Sequence, residues 1–165
     1  MNEATKQFFV NLYLKDDAPN ERFVDWAMNC LEEGFDSKSL RLLAGMDRNH
    51  TFRADFEELF RQSLKELDWK YLDKKESLFG YAKDIAKQIP SGEIDSTKAV
   101  DEIHKVNVRL GYPDELQMWD LLYDGHSYHW YDKSQWIPFM STYNHERWLQ
   151  YVKLEAMDLA NADFC

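Results

Sequence analysis

A chain of 165 residues, 44% apolar and 15% aromatic, carries enough hydrophobic material to fill a sizeable core, so a disordered chain is excluded and one domain is expected. Its 30 acidic and 20 basic residues give a formal charge of −10, which disfavours nucleic acid as a partner and favours a basic one. The apolar runs are short, as at Trp136 to Met140, far from the roughly 20 residues that span a bilayer. Met1 to Lys6 lacks the basic and then apolar pattern of a secretory leader. A cytoplasmic protein without membrane contact is the expectation.

In chain order, Phe8, Phe9, Leu12 and Tyr13 recur at helical spacing before Ala18-Pro19 breaks the pattern. Asn20 reads as a cap for a second helix with Phe23, Trp26, Ala27, Cys30 and Leu31 as its apolar stripe and Gly34 as its stop. Cys30 on that stripe reads as a small hydrophobe, and Cys165 is the only other cysteine, so no disulfide framework is expected. A short third helix follows, with Asp36 or Ser37 as its cap and Gly45 ending it in a left-handed turn.

Phe52, Phe56, Leu59, Phe60, Ser63 and Leu67 form the next stripe, and Glu57–Arg61 is a favourable i, i+4 pair. After a break at Asp68 to Asp73, Leu78, Tyr81, Ala82, Ile85 and Ile89 continue as helix, which Pro90-Ser91-Gly92 stops. Asp95 or Ser96 caps a helix along Ala99, Val100, Ile103, Val106 and Leu110. Gly111 ends it, and Pro113 suits the first position of the next helix, which runs to a turn at Asp124-Gly125. From Asn144 the period returns with Trp148, Tyr151, Val152, Ala156 and Leu159. The fold expected is therefore all-α: one domain over residues 1–165, a bundle of seven or eight helices, with a long aromatic-rich loop before the last.

The run Gly34-Phe35-Asp36-Ser37-x-Ser39-Leu40-Arg41-x-Leu43-Ala44-Gly45, followed by Leu64-Lys65-Glu66-Leu67, Tyr81-Ala82 and Gly92-x-Ile94-Asp95, resembles a group of short uncharacterised bacterial helical proteins. The resemblance spans Trp26 to Leu122 and rests on caps and packing positions. It implies a bacterial cytosolic helical protein, carries no activity, and is suggestive of an immunity-type role.

Charge is uneven along the chain, since residues 111–165 hold 3 basic and 9 acidic residues whereas residues 1–110 hold 17 and 21. The same last third contains Asp124 to Phe139, which is rich in aromatic and imidazole side chains. Connections of this length in compact domains are commonly functional. Two readings stand: a plug that buries Trp130, Trp136 and Phe139 over the helix ends, or anchors for a basic protein partner. The anchor reading names Asp124, Tyr128, Trp130, Tyr131, Asp132 and Trp136, because tyrosine and tryptophan supply most hot spots and acidic neighbours steer a basic ligand to them.

Enzymatic chemistry is disfavoured. His126 and His129, with Asp124 and Asp132 nearby, could approach a divalent ion, but the spacing supplies only two of the ligands zinc needs. A metal-dependent small hydrolase built on them is the alternative function. His145-Glu146 opens like a zincin motif, yet Leu149 stands where the second histidine belongs. His104 has Asp101 one turn before it, a commonplace helical pair. With no glycine-rich phosphate loop and no nucleophile elbow, no cofactor and no catalytic residue is assigned. The function expected is a protein-interaction module of immunity or antitoxin type, with a structural, self-associating helical domain as the third possibility.

Overall fold

The computed structural model describes residues 1–15, 19–49, 52–127 and 144–162. Tyr128, His129, Trp130, Tyr131, Asp132 and Trp136, and with them the plug-or-anchor question, lie outside the described residues. Among the described residues there are eight α-helices, one 3-10 turn and no strand, so the all-α expectation holds. The helices group into two compact units, Met1–Asp73 and Lys74–Cys165.

The first unit contains α1 (Glu3–Leu14), α2 (Glu21–Glu32), α3 (Lys38–Ala44) and α4 (Arg53–Glu66). Its core is aromatic. Phe60 of α4 packs edge-on against Trp26 at 4.6 Å, Phe9 at 5.3 Å and Phe23 at 5.6 Å between ring centres. Such edge-to-face pairs add to the burial of large rings. The one polar end in this cluster, Trp26 Nε1, donates to Thr5 Oγ1 at 3.0 Å, so the buried indole keeps its hydrogen bond.

Side chains cap two of the four helix starts in this unit. Asn2 Oδ1 accepts from Thr5 N at 3.0 Å, and Ser37 Oγ accepts from Leu40 N at 3.2 Å, so Ser37 and not Asp36 caps α3. Three expectations fail here. Asn20 stands at the start of α2 with helical backbone and no side-chain cap bond. Gly45 ends α3 at φ −91°, because its N–H continues bonding to the Arg41 and Leu42 carbonyls and needs no left-handed turn. Phe52 lies before α4 and is 68% exposed, outside the buried stripe of that helix.

The second unit contains α5 (Lys74–Ser91), α6 (Ser96–Leu110), a 3-10 turn (Asp114–Leu116), α7 (Gln117–Ser127) and α8 (His145–Asn161). Its core joins Leu78, Ile85 and Ile89 of α5, Val100 and Ile103 of α6, Trp119 and Leu122 of α7, and Trp148 and Val152 of α8, all buried. Lys83 Nζ donates to the Ala162 carbonyl and ties the end of α8 to α5. Asp95 caps α6 through Thr97 N and Lys98 N. Pro113 precedes the 3-10 turn and does not open α7 itself. Pro90 lies within the last turn of α5, and Gly92 at φ +74° leads the chain out.

Four helix ends share one hydrogen-bond pattern, in which two successive N–H groups reach back to carbonyls five and three residues earlier. It pairs Phe35 N with Cys30 O, Trp69 N with Leu64 O, Glu93 N with Gln88 O and Tyr112 N with Asn107 O. The turning residue is left-handed in each: Gly34 at φ +90°, Asp68 at +55°, Gly92 at +74° and Gly111 at +79°. Only glycine adopts that backbone without steric cost, so Asp68 is the strained member of the set.

Candidate functional site

The expected stop at Asp124-Gly125 does not occur. Helix α7 continues to Ser127, with Gly125 buried and Asp124 half-buried in helical backbone. The packing of Trp119 and Leu122 overrides the local turn preference of Asp-Gly. As a result, Asp120, Tyr123, Asp124 and Ser127 recur at three- and four-residue spacing along one side of a continuous helix.

Opposite them on α6 stand Asp101, His104 and Lys105, and between the helices is a cleft of about 400 Å³ lined by these three with Tyr123, His126 and Ser127. The His104 ring lies flat on Tyr123, with ring centres 3.7 Å apart and planes 2° apart. His104 Nδ1 is 3.1 Å from Asp120 Oδ1. The two are out of line for a hydrogen bond, and among the described residues the nitrogen has no hydrogen-bond partner. The carboxylate that meets His104 is thus Asp120 of the neighbouring helix, and the i, i+3 pairing with Asp101 is not the one formed.

Asp124 is the one predicted anchor within the described residues. Its carboxyl is pushed above the ordinary aspartate range, first by burial and then by the charge of Asp120, with His104 opposing both. Among the described residues, the one ammonium lining the cleft, that of Lys105, is held by Glu102 at 2.7 Å. Among these residues carboxylates therefore outnumber the cations available to them.

His126 lies at the edge of this cleft with its ring centre 5.4 Å from that of Trp148, and His145 stacks near the same indole at 5.8 Å. The Trp148 Nε1 proton goes to the Leu122 carbonyl at 3.0 Å. The candidate co-ligand of His126, His129, is outside the described residues, among which no three His, Cys, Asp or Glu side chains converge as metal ligands. Glu146 stands in the first turn of α8, below the Asn144 cap, where its charge faces the positive helix end. No helix among the described residues is long and apolar enough to cross a membrane.

Comparison with known proteins gives no match: no family model, no curated protein and no solved structure is significantly similar to this chain. The cross-helix meeting of His104, Asp120 and Tyr123 was hidden in the sequence. Asp120 and Tyr123 are three apart on α7, as Asp101 and His104 are on α6, but nothing local says which faces of two helices meet.

Proposed function

We propose that this protein is an interaction module that captures a basic protein, in the manner of an immunity or antitoxin protein, through its acidic C-terminal third. The observation that carries this reading is the crowding of Asp120 and Asp124 beside the α6–α7 cleft, with the Lys105 ammonium engaged by Glu102. A lysine or arginine from a partner, placed in the cleft, relieves the repulsion between these carboxylates and recovers Coulomb energy in a half-buried setting. Apolar area is available on the same unit: Tyr151, Leu154 and Met157 are exposed at three-residue intervals on α8, next to Glu155 and Asp158. Tyr128, Trp130, Tyr131, Asp132 and Trp136 remain proposed anchors on the strength of residue type alone.

The test is affinity capture from an extract of the source cells, comparing wild type with Asp120→Asn/Asp124→Asn and with Trp130→Ala/Trp136→Ala after circular dichroism has shown equal helicity. One basic protein should be retained by wild type, released as salt rises, and lost from both variants. Undiminished capture by both variants would discard the site. A concentration-dependent oligomer with no other partner would favour a self-associating structural domain in its place.

A further inference from the structure

The first unit contains a second cleft, of about 300 Å³, that the reading above does not use. Its floor is α4, where Arg53, Glu57, Phe60 and Arg61 fall on one face at spacings of four, three and one. Its walls are Tyr13 from α1, Phe23 from α2 and Tyr71 from the segment after α4.

The two arginines are held differently. Arg53 lies over the Phe23 ring at 4.9 Å, and its Nε is 3.0 Å from Glu57 Oε1. Arg61 lies over the Tyr71 ring at 5.4 Å, and among the described residues no carboxylate stands within ion-pair distance of it. Arg41, Arg48 and Arg53, by contrast, each meet a carboxylate. Stacking fixes the plane of the Arg61 guanidinium and leaves its N–H edge to serve an acceptor.

The ring that holds Arg61 is itself held. One Tyr13 hydroxyl proton serves two acceptors, Tyr71 Oη and the Leu72 carbonyl, each at 3.1 Å. Phe9 meets the Tyr71 ring edge-on at 5.2 Å. The cleft thus combines a positioned guanidinium fork with partly exposed apolar surface of Leu12, Tyr13 and Tyr71, the pairing that recognises a flat anion with an attached ring. A volume of about 300 Å³ accommodates one ring and its acid group and is too small for a dinucleotide.

We infer that the cleft between α1, α2 and α4 is a binding site for a small aryl carboxylate, with Arg61 as the anion-binding residue and the accessible parts of Leu12, Tyr13 and Tyr71 as the apolar walls. The carboxylate meets the Arg61 fork, and the ring displaces water from the walls. Glu57 neutralises Arg53, which leaves Arg61 as the cation that receives the carboxylate.

The experiment titrates the full chain, labelled with nitrogen-15, with benzoate, benzamide and inorganic phosphate, following the amide resonances. Benzoate should give saturable shifts at residues 53–61 and 71, with benzamide weaker by about tenfold or more because it lacks the charged hydrogen-bonded pair, and phosphate weaker because it brings no ring to the cleft. Arg61→Gln should weaken benzoate by a similar factor, and Arg61→Lys, which keeps charge and loses the fork, should also weaken it. Arg41→Gln, on the exposed side of α3, should leave it unchanged. No saturable benzoate shift, equal binding of benzamide, phosphate as tight as benzoate, or unchanged binding in a folded Arg61→Gln variant would each overturn the assignment.

Discussion

Ser39 occupies both carboxylate oxygens of Glu66, with its backbone N–H donating to Oε2 at 2.8 Å and its hydroxyl to Oε1 at 2.8 Å. The donor N–H lies in the first turn of α3, where helices leave such groups without an internal partner. Ser37 satisfies one of these groups locally, and Glu66, at the end of α4, satisfies another from 27 residues away. The two helices are thereby locked in register.

The same bonds set a pH dependence. The Ser39 N–H, followed by the Ser39 and Ser37 hydroxyls, holds the Glu66 carboxyl below its ordinary range. A folded-state pKa below the unfolded one contributes stability above the unfolded value and loses it as pH falls through the folded one. Glu66→Ala should therefore lower the thermal midpoint at pH 7, and the gap between the two melting curves should narrow as pH falls below the ordinary glutamate range. A gap that stays constant as the solution is acidified would rule out the charge-assisted cap.

Asp68 holds a left-handed backbone that three glycines hold at the equivalent helix ends. Asp68→Gly removes the clash of its Cβ with the backbone, offset in part by the greater freedom of glycine in the unfolded chain. A gain of about 1 kcal/mol in urea denaturation is expected. A loss of stability would show that the Asp68 side chain makes a compensating interaction.

Asn107 in α6 is fully buried, and neither its Oδ1 nor its Nδ2 has a hydrogen-bond partner. A buried amide left unsatisfied is destabilising. Asn107→Leu, which keeps the branch at Cγ, should raise stability by about 1–2 kcal/mol. Destabilisation by that amount would mean that the amide is satisfied in solution.

Tyr81 of α5 donates to Glu102 Oε2 of α6 at 3.2 Å. Burial, and then the charge of Glu102, push its hydroxyl up to about 12. The unfolded chain releases this proton first, near the ordinary tyrosine value of about 10, so stability is complete below that pH and falls as pH rises towards 12. Tyr81→Phe should be less stable at neutral pH and should show a shallower alkaline decline in guanidinium midpoints. An unchanged decline would assign the alkaline loss to other groups, among them Tyr13 and Cys30, whose protons burial also retains.

The all-helical class was legible because a 3.6-residue apolar period is written into each buried face. Phe23, Trp26, Ala27 and Cys30 are all buried as their spacing requires. Caps were legible where chemistry is local, as at Ser37 and Asp95. They were missed where the partner is distant, as with Glu66 on Ser39. Asp68 was read only as part of a break, since a left-handed aspartate has no signature beyond the end of the stripe before it. Asp124 was singled out by its acidic, aromatic neighbourhood. Its half-buried place in α7 follows from packing that no Asp-Gly pair reports, and neither Asp120 nor Tyr123 could be joined to His104 before the faces of α6 and α7 were known. The arginine cleft was invisible for the same reason, as Glu57 and Arg61 read as a helical ion pair whereas Glu57 turns to Arg53.

The buried bond from Trp148 Nε1 to the Leu122 carbonyl joins α8 to α7 directly. The interval between Ser127 and Asn144 is consequently a span whose two ends are pinned by the helices on either side. The register of α8 on α7 is therefore set within the core of the second unit, by groups that the two helices themselves supply.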